Sequence, residues 1–255
     1  MTTHLDLQIL PQPDDVTCGP TCLHAVYGFY GDDVPIQAVI REVMPLESRG
    51  TMAVLLAHHA LERGYGATLY TYNLDVFDPT WFTRDPVELR EKLVGQSEAK
   101  PSPMLGFVTR AYLRFLDLGG QLRYRELNPE LLVRLLRRGP VLTGLSATYL
   151  YGCSRELDED GQLRPDDLRG VATGHFVVLY GYHAGTREVL VADPLGGNPL
   201  SENQHYAVGI DRLLGAIMLG VLTYDGSLLL LEPRGRRAPA PGAPSRATVK
   251  ARTAP

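Results

Sequence analysis

Apolar and polar positions change rhythm along this chain, early in steps of three and four, late in steps of two. The run CGPTCLHAVYGFY, Cys18 to Tyr30, is apolar on most of its sides. Cys22, Ala25, Val26 and Phe29 form one apolar face and Leu23, Tyr27 and Tyr30 another, leaving only Thr21, His24 and Gly28 as a small or polar stripe. A helix that is apolar nearly all round is a buried helix. Pro20 suits a first helical turn, where a missing N–H does no harm, and Gly31 stops the helix. Cys18 is therefore expected at the N-terminus of a central helix. Further helices are predicted over Pro35 to Val43, capped by Asp33, and over Thr51 to Arg63, ended by Gly64. Pro86 to Val94 and Leu105 to Leu116 follow, split by KPSP. Pro129 to Arg138 is capped by Asn128 and ended by Gly139-Pro140, and Ile210 to Leu219 is the last.

The step of two predicts strands at Ala67 to Tyr72, Leu122 to Glu126, Val141 to Leu145 and Ser227 to Glu232. His175 to Tyr182 and Glu188 to Ala192 read as a hairpin around the turn AGTR. Helices come first and antiparallel strands later, which is α+β order rather than alternating βαβ. No internal repeat is present. Residues 1–233 are read as one domain. From Arg234 the composition shifts: RGRRAPAPGAPSRATVKARTAP is Pro/Ala-rich and holds six basic residues and no acid. Such a segment cannot bury a core, so 234–255 is expected to be a disordered basic tail.

Composition narrows the class. The chain has 255 residues, 44% hydrophobic and 21% charged, as globular proteins do. At this length roughly 70–75% of the unfolded surface is buried on folding, so no disulfide or metal staple is needed. Lysine plus arginine total 25 against 29 acidic residues, a net charge of -4. Setting aside the six basic residues of the tail leaves 19 basic against 29 acidic side chains. That balance argues against a nucleic-acid partner, whose footprint is a basic excess. Three cysteines do not make a disulfide framework and suit a reduced, intracellular protein. No apolar run approaches the about 20 residues that span a bilayer, and the N-terminus lacks an export pattern. The expectation is a soluble, cytoplasmic protein with no membrane segment.

The chemistry concentrates in QPDDVTCGPTCLHAVYGFY. The reactive form of a cysteine is the thiolate, and a helix N-terminus favours it through unpaired N–H groups and the helix dipole. Cys18 is placed there. Gly19 is expected to leave space for a substrate backbone. Gln12, six residues upstream, is expected to turn its amide toward the same point and, with the Cys18 N–H, hold an oxyanion. A thiolate needs a proton partner, and GHFVVLYGY offers His175 at the head of an apolar strand. EVLVADP ends in Asp193, which an antiparallel hairpin brings beside His175 to fix its tautomer and orientation. His183 is the rival base, but it sits at the other end of the same strand. Cys22 lies one turn inward on the apolar face and reads as core. A redox or zinc role for CGPTC is disfavoured: thioredoxin-type motifs have two intervening residues, not three, and zinc needs further ligands. His58 and His59 point in different directions on a helix and suit surface or packing roles. Trp81 and Tyr149-Leu150-Tyr151 line a cleft or pack in the core.

Taken together, Q-x5-C-G-x2-C-L near the start and G-H-F-V-V-L-Y and V-A-D-P late resemble the C39 family of papain-like cysteine peptidases. The resemblance spans roughly Leu7 to Gly197, with sharp motifs over about forty residues at its two ends. It implies a papain-like fold in which a central buried helix packs on a C-terminal antiparallel sheet. It also implies Cys18 as nucleophile, His175 as general base and acid, Asp193 as its orienter and Gln12 in the oxyanion hole. The implied reaction is hydrolysis of a peptide or protein substrate through an acyl-enzyme thioester, with no cofactor or metal. The same thioester would serve acyl transfer, and a C39-like domain without activity would bind a peptide in the same cleft. Residues 75–128 and 146–172 look longer than the family minimum, and 75–128 is read as a family-specific insertion. The chain carries no transporter segment, so the leader specificity of exporter peptidases is not carried over. Oligomeric state is not legible.

Overall fold

The computed structural model describes residues 2–43, 51–82, 86–223 and 225–234. The basic tail beyond Arg234 lies outside them. In chain order the elements are β1 (Thr3–His4), α1 (Cys18–Phe29), α2 (Ile36–Glu42), α3 (Ala53–Glu62), β2 (Tyr65–Thr71), α4 (Pro86–Ala99), α5 (Pro103–Asp117) and β3 (Gln121–Arg123). Then come α6 (Pro129–Leu136), β4 (Val141–Ser146), α7 (Ala147–Tyr151), β5 (Glu156–Glu159), β6 (Gln162–Pro165), β7 (Gly174–His183), β8 (Glu188–Ala192), β9 (His205–Gly209), α8 (Ile210–Leu219) and β10 (Ser227–Pro233). The order is α+β, as expected. The main sheet runs β3-β2-β10-β4-β7-β8-β9, with β1 paired to the far end of β7. Among the described residues only the β2–β3 pair of this sheet is parallel; its other pairs are antiparallel.

Strand alternation divides the interior. Phe176, Val178 and Tyr180 face a core shared with α1, α3 and α5, while Val177 and Leu179 face a second core shared with α6 and α8. Ten of the twelve residues of α1 are buried, which is what its all-round apolar pattern requires. Segment 75–128 supplies α4, α5 and β3; α5 buries Val108, Ala111, Tyr112 and Phe115.

Several boundaries differ from the sequence expectation. Asp33 does not cap α2; Pro35, extended at ψ 132°, precedes the first helical residue and no side-chain cap bond forms. The strand expected to run to Glu126 ends at Arg123, because β2 offers it only three partners. α7, β5, β6 and β9 lie in stretches read as connections. α7 is five residues long and follows β4 without a break, while β5 and β6 form a separate, largely exposed hairpin with no apolar face to announce it.

One end of the sheet gathers the ends of several elements. Ser146 at the end of β4 is opposite Gly174 at the start of β7, and Ser227 at the start of β10 is opposite Thr71 at the end of β2. The first residue of α1, Cys18, reaches the same end.

Candidate functional site

Cys18 opens α1, and the Thr17 carbonyl closes the first turn by accepting the Thr21 N–H at 3.0 Å and the Thr21 hydroxyl at 2.8 Å. A Cβ on Gly19 would stand 2.4 Å from Thr51 Cγ2 and 3.3 Å from the Leu56 and Phe176 side chains. The space that sequence alone assigns to a substrate backbone is thus filled by the protein, and the glycine serves close packing of α1 on its neighbours. Cys22, one turn on, is fully buried and donates its thiol to the Phe176 carbonyl at 3.2 Å. Burial, joined by the charges of Cys18 and Asp193, pushes that thiol well up, so it stays protonated and behaves as core.

His175 and Asp193 meet across the β7–β8 pair. Val178 is opposite Ala192, so Asp193, one residue past the strand, is diagonal to His175 on the same face. The His175 Nε2 lies 2.8 Å from Asp193 Oδ1, which leaves Nδ1 for the thiol. Burial raises the Cys18 pKa, but the hydrogen bond and charge of His175, with the N–H groups of Phe176 and Gly19, outweigh it and hold the thiol below its ordinary value. Burial likewise disfavours the imidazolium, yet the hydrogen bonds and charges of Asp193 and Cys18 raise His175 to about 10. Both shifts favour the same species, thiolate beside imidazolium. Cys18 and His175 retain 9% and 7% of their exposure, just under a surface where Val16 and Gly174 are exposed.

Asp193 is wholly buried and accepts four hydrogen bonds. Oδ1 takes His175 and the Leu195 N–H at 2.9 Å; Oδ2 takes the hydroxyls of Tyr151 and Tyr206, each at 2.7 Å. Burial opposes its charge, but His175, Tyr151 and the Leu195 N–H bring its pKa below the usual carboxylate value. The tyrosine hydroxyls are pushed well up by burial and by that carboxylate, so they stay donors. Sequence reasoning placed Tyr151 only as a cleft or core residue and did not single out Tyr206. Their signal was weak: Tyr151 ends a short helix, and Tyr206 lies on a strand that was not predicted.

Gln12 reaches this corner through its backbone, its N–H donating to the Pro194 carbonyl at 2.8 Å. Its side-chain Nε2 donates to the Asp14 carbonyl at 2.8 Å, and Oε1 is buried without a partner. The rival histidines are elsewhere. His183 pairs with Glu188 beside the hairpin turn. His59 is buried between the Tyr27 hydroxyl at 2.7 Å and Glu42 at 3.0 Å, and His58 lies 2.8 Å from the Ala111 carbonyl. Trp81 packs against the larger core. Among the described residues no group of three or more His, Cys, Asp or Glu is arranged to hold a metal ion.

A groove of about 770 Å³ opens beside this end of the sheet, lined by Ser146, Thr148, Tyr149, Ala172, Leu219 and Leu222 among others. Helix α7 is a shared wall: Tyr149 faces the groove and Tyr151 bonds Asp193.

No protein-family pattern matches the chain, and no curated protein does. Solved structures similar to it include a double glycine motif protease from an AMS/PCAT transporter, in complex with the leader peptide, at 14% identity, 91% coverage of this chain and 94% of that one, TM-score 0.45. The peptidase domain of Streptococcus ComA, a bi-functional ABC transporter involved in quorum sensing, is similar at 14% identity, with 91% and 100% coverage and a TM-score of 0.43. Xylellain, a cysteine protease from Xylella fastidiosa, is similar at 15% identity, with 91% and 85% coverage and a TM-score of 0.46.

Proposed function

We propose that this protein is a papain-like cysteine peptidase of the C39 type, hydrolysing amide bonds in a peptide or protein substrate. The observation that carries the reading is the buried His175–Asp193 pair, with Asp193 fully hydrogen-bonded, and the Cys18 thiol at the start of α1 within interacting reach of the imidazole. The Cys18 thiolate attacks the scissile carbonyl carbon, and the carbonyl electron pair moves onto oxygen. The Cys18 N–H and a remaining N–H of the Gln12 amide stabilise that oxyanion. Collapse of the tetrahedral intermediate breaks the C–N bond, and the His175 imidazolium gives its proton to the leaving amine. Neutral His175 then takes a proton from water as its oxygen attacks the thioester, which releases the acid and restores the ion pair. Asp193 keeps the imidazole oriented throughout. We assign an extended peptide to the groove beside α7, whose lining residue Ser146 pairs with Gly174, the residue before His175.

The three cysteines are free, which fits a reducing compartment, and we place the protein in the cytoplasm. Among the described residues no helix is long and apolar enough to cross a membrane. We read 1–233 as one domain bearing a basic tail.

Iodoacetamide at neutral pH tests the nucleophile. Cys18 is expected to react faster than exposed Cys153 and far faster than sealed Cys22, and Cys18→Ala is expected to abolish both that labelling and peptide turnover. Equal labelling of Cys18 and Cys153 would remove the assignment. Gln12→Ala is expected to lower kcat by roughly 10²–10³ while leaving Cys18 labelling intact.

A further inference from the structure

A second buried acid lies within electrostatic reach of Cys18 and has no part in the chain described above. Asp225 precedes β10, retains 6% of its exposure, and accepts the Ala53 N–H at 3.1 Å, at the first residue of α3. Its backbone N–H donates to the Gly220 carbonyl at 3.0 Å. On the β4 side it is pressed against Gly144, where a Cβ would lie 2.4 Å from the Asp225 carbonyl oxygen and 2.8 Å from Cγ. The Ala53 N–H from α3 donates to its carboxyl, the Ser227 hydroxyl from β10 donates to its backbone carbonyl at 3.4 Å, and the Cys18 thiol of α1 and the Tyr112 hydroxyl of α5 lie within electrostatic reach. Among the described residues no lysine, arginine or histidine pairs with it.

A carboxylate in that position would be buried without a counter-ion and would repel a thiolate. Burial, aided by the Cys18 charge, outweighs the Ala53 and Ser227 hydrogen bonds and pushes the Asp225 acid well up. We propose that Asp225 is a positioning residue of the nucleophile, a buried anchor for the N-terminus of α3, whose approach packs on Gly19 at the start of α1, without placing a second negative charge near Cys18. The tie is physical: Ala53 is two residues from Thr51, whose methyl group packs over Gly19.

The inference rests on Cys18 being the nucleophile, and its test needs no substrate. The rate of Cys18 alkylation by iodoacetamide, followed against pH, reports the thiolate midpoint in wild type, Asp225→Asn and Asp225→Ala. Asn keeps the acceptor and the neutrality, so Asp225→Asn is expected to leave the midpoint where it is. Asp225→Ala frees the start of α3 and is expected to raise the midpoint, each unit costing about tenfold in rate below it. A lowered midpoint in Asp225→Asn would show that the wild-type group is charged and would overturn the proposal, as would a raised one. An unmoved midpoint in Asp225→Ala would remove the positioning role. If Asp225→Ala does not fold, Asp225→Asn decides through denaturant unfolding against pH. A raised folded pKa gives stability that is full below the unfolded value and lost as pH rises through the folded one. Asp225→Asn must therefore gain stability relative to wild type as pH rises above about 4, and a constant difference overturns the neutral acid. Should wild-type Cys18 show no advantage over Cys153, the peptidase reading has failed, while the stability comparison still tests Asp225.

Discussion

The imidazole of His175 is held on one side by a carboxylate with four donors and on the other by a thiol at a helix start. The proposed turnover needs thiolate and imidazolium together. The pair forms as pH rises through the depressed Cys18 value and is lost as pH passes the His175 value of about 10. kcat/KM is therefore expected to rise on the acid side, hold a plateau across neutrality and fall near the alkaline limit, the two limbs belonging to the pair rather than to either residue. The hydroxyls on Asp193 are open to the same treatment. Tyr151→Phe and Tyr206→Phe each remove one charge-assisted hydrogen bond from a sealed carboxylate and are expected to cost about 1–3 kcal/mol in denaturant unfolding at neutral pH. Asp193 has a lowered pKa, so its stabilisation is present above the unfolded value and lost as pH falls. The deficit of each variant shrinks in acid. At this scale Cys18, His175 and Asp193 were legible because each stands beside a marker: Gly-Pro after the cysteine, a glycine before the histidine, a proline after the aspartate. Tyr151, Tyr206 and Asp225 carry no marker, since what gives them meaning is who faces them.

Helices and strands were most legible where the apolar pattern was long. α8 falls at Ile210–Leu219 and α1 within one residue of its expected end, because one buried face or an all-round apolar surface fixes each. Short elements escaped. α7 has too few residues for a period to show, yet it carries both Tyr149 and Tyr151, and its start is fixed by the Ser146 hydroxyl accepting the Tyr149 N–H. The closeness of elements at the site end yields a prediction for β4. A methyl group on Gly144 would meet Asp225 backbone oxygen at 2.4 Å, and a backbone atom cannot rotate aside. Gly144→Ala is expected to destabilise the protein by about 1–3 kcal/mol or more, seen as a fall in Tm, and to slow Cys18 alkylation through the displaced Asp225. Gly28→Ala, where a Cβ meets nothing within 4 Å, is the matched control and is expected to leave alkylation unchanged.

Across the whole molecule, the proposed nucleophile comes from the first helix and its partner from a strand more than 150 residues later, so the candidate site exists only when both halves are assembled. The rate advantage of Cys18 over Cys153 is accordingly expected to disappear in denaturant at the midpoint of global unfolding measured by circular dichroism. Loss of the advantage well before that midpoint would mean that the site opens locally. The amino-acid sequence by itself determined the α+β order and the buried first helix and singled out Cys18, His175 and Asp193 as candidates, because periodicity and turn chemistry are local properties of neighbouring residues. How Asp193 is surrounded, what fills the space at Gly19 and where Asp225 comes to rest were decided by tertiary structure alone. Strand register and helix packing bring together groups that no spacing along the chain relates, and burial there sets their charge.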